Sequence, residues 1–353
     1  MIKEKRKMEH FERIRASLDD LDAIVLTSEA NRFYASGFHT TAPDDAVVLI
    51  TKDKNYLFTD SRYTEAATNQ VKSAAVLPNE DISKYMRGRI GFEAAAVTVK
   101  RFEKWQEDYS CSFTDISDVM TALRQSKDDE EIDCIIKAQR IAEKSLLELI
   151  DEKVEGKSEK ELAAQLQYIM LKNGAEGLSF DSIIASGPNS SMPHAVPTDR
   201  RITSGDFLTI DYGCIYRGYC SDTTRTFAVG QVSDEMKKVY EIVLEAQLAG
   251  IAAAKASVLG KDVHNAAKKV ISDAGYGDYF GHGFGHSLGI EIHESPNFSP
   301  KNSNPMPENA VVSAEPGIYL PGRFGVRIED VIILKKDGCI NITELDKKLT
   351  VIA

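Results

Sequence analysis

Two short segments of this chain each carry a pair of acids spaced so that a hairpin would set them against one another. In LTIDYGCIYRGYCSDTTRTFAV (208–229), TIDYG and DTTRTF read as strands and YRG as a turn. The midpoint of Asp211 and Asp222 falls between Tyr216 and Arg217. A hairpin turning there opposes the two aspartates at roughly 5 Å between Cβ atoms. In SAEPGIYLPGRFGVRIED (313–330), Glu315 and Glu329 have their midpoint at Gly322, inside the turn-forming LPGRFG. Like charges opposed in a ladder destabilise it unless a cation lies between them. Two such hairpins call for divalent metal.

A third segment supplies imidazole. GHGFGHSLGIEIHE (281–294) holds His282, His286 and His293, three of the seven histidines in the chain. Gly281, Gly283, Gly285 and Gly289 would weaken any regular helix there, so the segment reads as a binding loop. Oxygen ligands with imidazole suit manganese, cobalt or zinc better than calcium. Four carboxylates exceed what one catalytic metal usually takes, whereas two metals about 3.5–4 Å apart would absorb that charge.

Composition removes several rival classes. The net charge is −11 and no basic stripe is present, which argues against nucleic acid. The N-terminal stretch MIKEKRKMEHFERIRASL has no apolar core of a signal peptide, and no apolar run approaches a membrane span. Cys111, Cys134, Cys214, Cys220 and Cys339 are odd in number and lack CxxC spacing. Neither a disulfide framework nor a thiolate zinc site is indicated, and a cytoplasmic location is expected.

The first ~120 residues alternate strands (AIVLT, AVVLI, NYLFTD) with helices at 3–18 and around 61–72, a small α/β domain. The polar RQSKDDEE (124–131) marks a boundary, with Ser126 the expected N-cap of the next helix. Beyond it the pattern repeats. A helix carrying Ile132, Ile135, Ile136 and Ile141 on one face runs to about 152, and Ser158 to Glu161 forms a capping box opening a second. A β-rich section (179–229) follows, then helices at about 233–256 and 262–274, then a second β-rich section (288–334). Helix–helix–sheet twice over predicts an α+β domain of two pseudo-twofold halves.

The order Asp211, Asp222, His286, Glu315, Glu329, set in TIDYG, SDTTRT, GHGFGHSLG, AEPGIY and GVRIED, resembles the creatinase/aminopeptidase (M24-type) metallopeptidases. Within them it is most similar to the proline-specific branch, aminopeptidase P and prolidase. LRQSKDDEEID at the junction, SFDSIIASGPNSSMPHAVP and IHESPNFSP extend the likeness over nearly the whole chain. The resemblance implies a creatinase-like N-terminal domain (1–122) before a pita-bread catalytic domain (123–353). It implies that Asp211 binds one metal, His286 and Glu315 the other, and that Asp222 and Glu329 bridge. Glu315 would also take a proton from the attacking water. His194 and His293 would hydrogen-bond the scissile carbonyl and the oxyanion, His282 would line the proline pocket, and Tyr319 and Arg327 would orient the carboxylates. Two divalent ions are expected, manganese first and cobalt or zinc as alternatives, in a homodimer acting on short proline-containing peptides.

Taken singly, these residues have plainer readings. Asp211 and Asp222 could be turn-flanking acids, His194 a loop residue, and Arg327 a structural ion-pair partner. Cys214 and Cys220 read as small packed hydrophobes, and His39 as a surface or interface group. The reading favoured from sequence is Xaa-Pro aminopeptidase, with Xaa-Pro dipeptidase as the alternative. Weaker rivals are a creatinase-type amidinohydrolase and a metal-free binding protein on the same fold.

Overall fold

The computed structural model describes residues 2–40, 42 and 45–353, with residues 2–8 described by backbone alone. The chain divides into two compact units, Met1–Arg124 and Gln125–Ala353.

The first unit is built on a six-stranded sheet. Its order is Ala75–Pro78, Asn55–Thr59, Ala46–Thr51, Ala23–Leu26, Gly88–Phe92, Cys111–Asp115. Ala23–Leu26 is buried throughout, antiparallel to Ala46–Thr51 and parallel to Gly88–Phe92. The three strands legible in the sequence are the apolar ones. The other three carry too weak an apolar pattern to be read: Ala75–Pro78 and Cys111–Asp115 are largely exposed, and Gly88–Phe92, buried only over its last three residues, is interrupted by two glycines. His39 stands half-exposed and stacks on Phe33 at 3.9 Å between ring centroids.

In the second unit helices Asp129–Ile150 and Glu159–Lys172 precede a four-stranded sheet, ordered Val351–Ile352, Thr223–Val229, Phe207–Tyr212, Ile183–Ser186. Helices Asp234–Ala253 and Gly260–Asp273 precede a five-stranded sheet, ordered Glu294–Phe298, Gly285–Ser287, Val311–Ala314, Asp330–Lys335, Gly338–Asn341. The helix–helix–sheet repeat is therefore present. Each half has its own apolar core: Leu146, Leu166 and Ile210 belong to one, Val243, Ala267 and Ile332 to the other.

Local chemistry sets the helix starts. Ser158 and Glu161 form the expected capping box. The first helix of this unit is capped by Asp128, not Ser126. The Asp128 side chain accepts from the Glu131 N–H, and Glu131 returns the bond to the Asp128 N–H. Ser126 instead donates its hydroxyl to the Glu308 carbonyl. Two acceptors three residues apart satisfy two orphan donors, which a lone serine cannot do.

The first hairpin departs from its expected register. Thr224, not Asp222, stands opposite Asp211, and the same register continues to Tyr216 opposite Tyr219. The turn is Arg217–Gly218, with φ of 49° and 77°, one residue later than the sequence midpoint. A two-residue hairpin turn with both φ positive matches strand twist, and glycine takes that conformation without a Cβ clash. Asp222 therefore lies diagonal to Asp211, two residues before Thr224 on the same face. Cys111, Cys214, Cys220 and Cys339 are unbridged, with Cys214 packed into the core of the first half.

The second hairpin turns about Gly322 (φ 70°), with Gly317 opposite Arg327 and Leu320 opposite Phe324. Val311–Ala314 pairs with Asp330–Lys335 in the same register. Between these two ladders Glu315 and Glu329 leave the pairing. The Glu315 N–H donates to Phe284, and the Glu329 N–H donates to Thr224 of the other half.

Candidate metal centre

The four acids and one histidine converge where the two halves meet. Asp211 sits at the end of strand Phe207–Tyr212, and Asp222 immediately before Thr223–Val229. Carboxylate oxygens of Asp211, Asp222 and Glu329 lie within 4.8 Å of one another, and all three residues are buried. His286, in strand Gly285–Ser287, points Nε2 between Asp222 Oδ2 at 3.6 Å and Glu315 Oε1 at 3.4 Å. Gly285 makes this approach possible, because a Cβ there would stand 1.8 Å from the Ser313 carbonyl oxygen.

Two residues absent from the sequence-based set complete the frame. Thr224 donates to Glu329 Oε2 at 2.7 Å and accepts from Arg327 Nε at 3.1 Å. Ser313 donates to Glu315 Oε1 at 3.0 Å and accepts the His286 N–H at 3.0 Å. Each lies two residues from an acid, Asp222 and Glu315, hence on the same strand face. That period-two spacing was the available signal.

Burial first, then Asp211 and Glu315, push the Asp222 carboxyl well above the usual carboxylate range. Burial, then Asp222, Glu315 and Asp211, do the same to Glu329. Glu315 is also raised by burial, offset in part by His282 and Arg327. His282, His286 and His293 are all lowered, chiefly by burial, so they favour the neutral form that can ligate or donate one hydrogen bond. Burial opposes the charge of Arg327, but Tyr319, Asp211 and Glu315 around it outweigh that and raise it well above its ordinary value.

Asp211 Oδ1 and Glu329 Oε1 are buried and have no hydrogen-bond partner. A buried carboxylate oxygen left bare is costly, and a cation removes the cost. Bare oxygens, mutual repulsion and an all oxygen-and-imidazole donor set fit divalent metal.

The substrate-side residues are placed differently. Tyr319 lies at 3.0 Å from His282 Nε2 and accepts from Arg327 Nη1 at 2.8 Å. The His293 ring lies 4.4 Å from that of His286, and His194 stands exposed on the loop after Gly187–Ser191. A cavity of about 560 Å³ is lined by every sequence-predicted site residue except Tyr319, which lies behind His282 and Arg327. Phe180, Ile183, Val196 and Ile292 give it an apolar part that the sequence did not single out, since nothing local marks a wall residue. Acids and neutral imidazoles beside an apolar pocket are equipped for metal-assisted hydrolysis of a small substrate.

Residues 133–336 match the metallopeptidase family M24, and residues 11–126 match the creatinase/prolidase N-terminal domain. An Xaa-Pro dipeptidase of Pyrococcus furiosus is 36% identical over 348 residues, covering 97% of this chain and 99% of that protein. Among solved structures, an Xaa-Pro dipeptidase from Bacillus anthracis is 38% identical with a TM-score of 0.93, covering 98% of this chain and 100% of that one. An X-Pro aminopeptidase from Thermotoga maritima is 37% identical with a TM-score of 0.91, covering 97% and 99%.

Proposed function

We propose that this chain, which belongs to metallopeptidase family M24, is an Xaa-Pro dipeptidase. The M24 match lies in the catalytic unit, which has the pita-bread fold, and a separate match to the creatinase/prolidase N-terminal domain precedes it. Dipeptidase replaces aminopeptidase as the favoured reading, because two of the three relatives described above carry that name. The shared motifs do not separate the two activities.

The observation that carries the reading is the convergence of Asp211, Asp222, His286, Glu315 and Glu329 on one buried point, with two oxygens left bare. In this reading Asp211 would help hold one ion, His286 and Glu315 the other, and Asp222 and Glu329 would serve both. Divalent ions bound there supply Lewis acidity to the scissile carbonyl and acidify water. Glu315, whose burial raises its affinity for a proton, would in its ionised form accept a proton from the attacking water and pass it to the leaving proline nitrogen. His194 and His293 donate hydrogen bonds to the carbonyl and to the negative charge that develops on it. His282, held by Tyr319, forms the wall against which the proline ring packs. Proline has no N–H, so this pocket needs shape and no backbone acceptor.

Manganese is the proposed metal, with cobalt or zinc as alternatives, in a cytoplasmic homodimer. The test is a digest panel of Xaa-Pro, Xaa-Pro-Yaa and longer Xaa-Pro peptides. It is run on exhaustively chelated enzyme and after adding manganese, cobalt or zinc singly. The expected result is no turnover without metal and fastest cleavage of the dipeptide with manganese. Equal or faster cleavage of the tripeptide would restore the aminopeptidase reading, and turnover in a metal-free preparation would remove both.

A further inference from the structure

Lys127 and Glu294 form an ion pair sealed from water. Lys127 Nζ lies 3.0 Å from Glu294 Oε2 and 3.0 Å from Ser287 Oγ, and the two charged side chains are 2% and 5% exposed. Three separate pieces of chain meet there. Lys127 precedes the helix Asp129–Ile150, Ser287 follows His286, and Glu294 follows His293.

The ladder is irregular at this point. Gly285 and His286 stand opposite Phe298 and Asn297, but Ser287 stands opposite Glu294, so Ser295 and Pro296 are looped out. Such a bulge re-aims neighbouring side chains, and here it lies beside His293. The loop closes on the same carboxylate. Glu294 Oε1 accepts the Glu291 N–H at 3.1 Å, and a Cβ on Gly289 would come within 2.8 Å of Glu294 Oε2. The lysine is itself anchored, since its N–H donates to the Asn309 carbonyl at 3.1 Å.

A buried ion pair is weak evidence of a stabilising device, because desolvating both charges offsets much of their attraction. Its geometric effect is specific, however: it ties the strand carrying His286 to the residue next to His293. We infer that Lys127 is a positioning residue, which holds the Glu294 carboxylate against Ser287 and so sets the bulge that places the His293 ring beside His286. This rests on the reading of His293 as a donor to the developing oxyanion.

The experiment compares Lys127→Met, Lys127→Arg, Glu294→Gln, His293→Ala and the double variant Lys127→Met/His293→Ala, each assayed on an Xaa-Pro dipeptide as the metal-loaded full chain. Metal stoichiometry and thermal unfolding are measured on the same samples. A displacement of about 1 Å can cost on the order of a hundredfold in rate. The expected result is therefore a roughly tenfold to hundredfold fall in kcat for Lys127→Met and Glu294→Gln, with KM and metal stoichiometry near wild type. Lys127→Arg, which keeps the charge, recovers most of the rate. Adding Lys127→Met to His293→Ala lowers kcat little further, because both act through one group. If Lys127→Met does not fold, Glu294→Gln, nearly the same shape, carries the comparison, alone and combined with His293→Ala.

Wild-type kcat in a folded Lys127→Met or Glu294→Gln variant, loss of metal from either, or a full additional loss on top of His293→Ala overturns the inference. A slow His293→Ala beside a normal Lys127→Met overturns it alone. A His293→Ala variant with wild-type kcat removes the oxyanion reading, and the inference falls with it.

Discussion

Arg327 donates from Nη2 to Asp211 Oδ2 at 2.5 Å, and the same guanidinium reaches Thr224 and Tyr319. One oxygen of Asp211 is thereby committed, and the other, Oδ1, is left bare toward the remaining acids. Arg327 thus touches a proposed metal ligand directly while also lining the cavity. Its contact occupies one Asp211 oxygen and leaves the other without a hydrogen-bond partner.

Replacing that fork by a point charge tests this. Arg327→Lys keeps the charge but cannot satisfy Asp211, Thr224 and Tyr319 together. Groups that orient ligands are typically worth about 10–100-fold in metal affinity or activity. A manganese titration of activity should show its midpoint raised, or its plateau lowered, by that order. An unchanged titration would make Arg327 a structural ion only.

Asp222→Asn separates apo stability from metal binding. Asp222 is buried beside two other acids and is driven toward its neutral form, so the amide should fit the metal-free protein at least as well. Chelated Asp222→Asn should unfold at or above the wild-type temperature. With manganese added it should show the smaller thermal gain, together with reduced metal content and activity. A variant that binds metal normally would take Asp222 out of the ligand set.

The acids also set the sign of a pH effect. Asp222 and Glu329 are held above their ordinary values, burial being the largest cause. A carboxyl raised in the folded state contributes stability that is fully present below its unfolded value of about pH 4. That stability is lost as pH rises through the raised folded value. Metal competes with those same protons. The increase in unfolding temperature on adding manganese should therefore be small in acid and grow toward mildly alkaline pH. Paired scans of chelated and loaded protein across that range check it, and a gain independent of pH contradicts it.

Gly285→Ala should fail structurally rather than chemically. The new Cβ would stand 1.8 Å from the carbonyl oxygen of Ser313, and backbone cannot yield cheaply in the middle of a sheet. A loss of several kcal/mol is expected, in the range of severe core strain, measured as a lowered denaturant midpoint with or without metal. A normally stable variant would mean the strands can separate at His286.

A matched pair of substrates tests the pocket. An Xaa-Ala bond loses ring packing, about 1–3 kcal/mol, and buries an N–H without an acceptor, costing about as much again. The preference in kcat/KM for Met-Pro over Met-Ala should be roughly 10²–10⁴. Comparable rates would move the chain out of the proline-specific branch.

Much of this was written locally. The acids of the second hairpin lie symmetrically about Gly322 because a turn glycine and alternating side chains are properties of a dozen consecutive residues. The capping box at Ser158 is local in the same sense. The turn of the first hairpin lies one residue beyond the sequence midpoint, since YRG contains two possible turn centres. Only the positive φ of Arg217 and Gly218 distinguishes them. The N-cap went to Asp128 rather than Ser126 for a comparable reason: the reciprocal bond from Glu131 outweighs the residue preference.

The sequence by itself therefore determined which acids and which histidine are candidate donors, their order, and the two-hairpin frame, because those depend on residue type and short-range periodicity. Tertiary structure alone decided which oxygens stay bare and which neighbours hold the rest. Thr224 reaches Glu329 across 105 positions, and Lys127 reaches Glu294 across 167. Neither contact has any local signature. Such contacts exist only once two apolar cores have brought the halves together, and burial at that meeting is what raises the acids and leaves bare the oxygens a cation would satisfy.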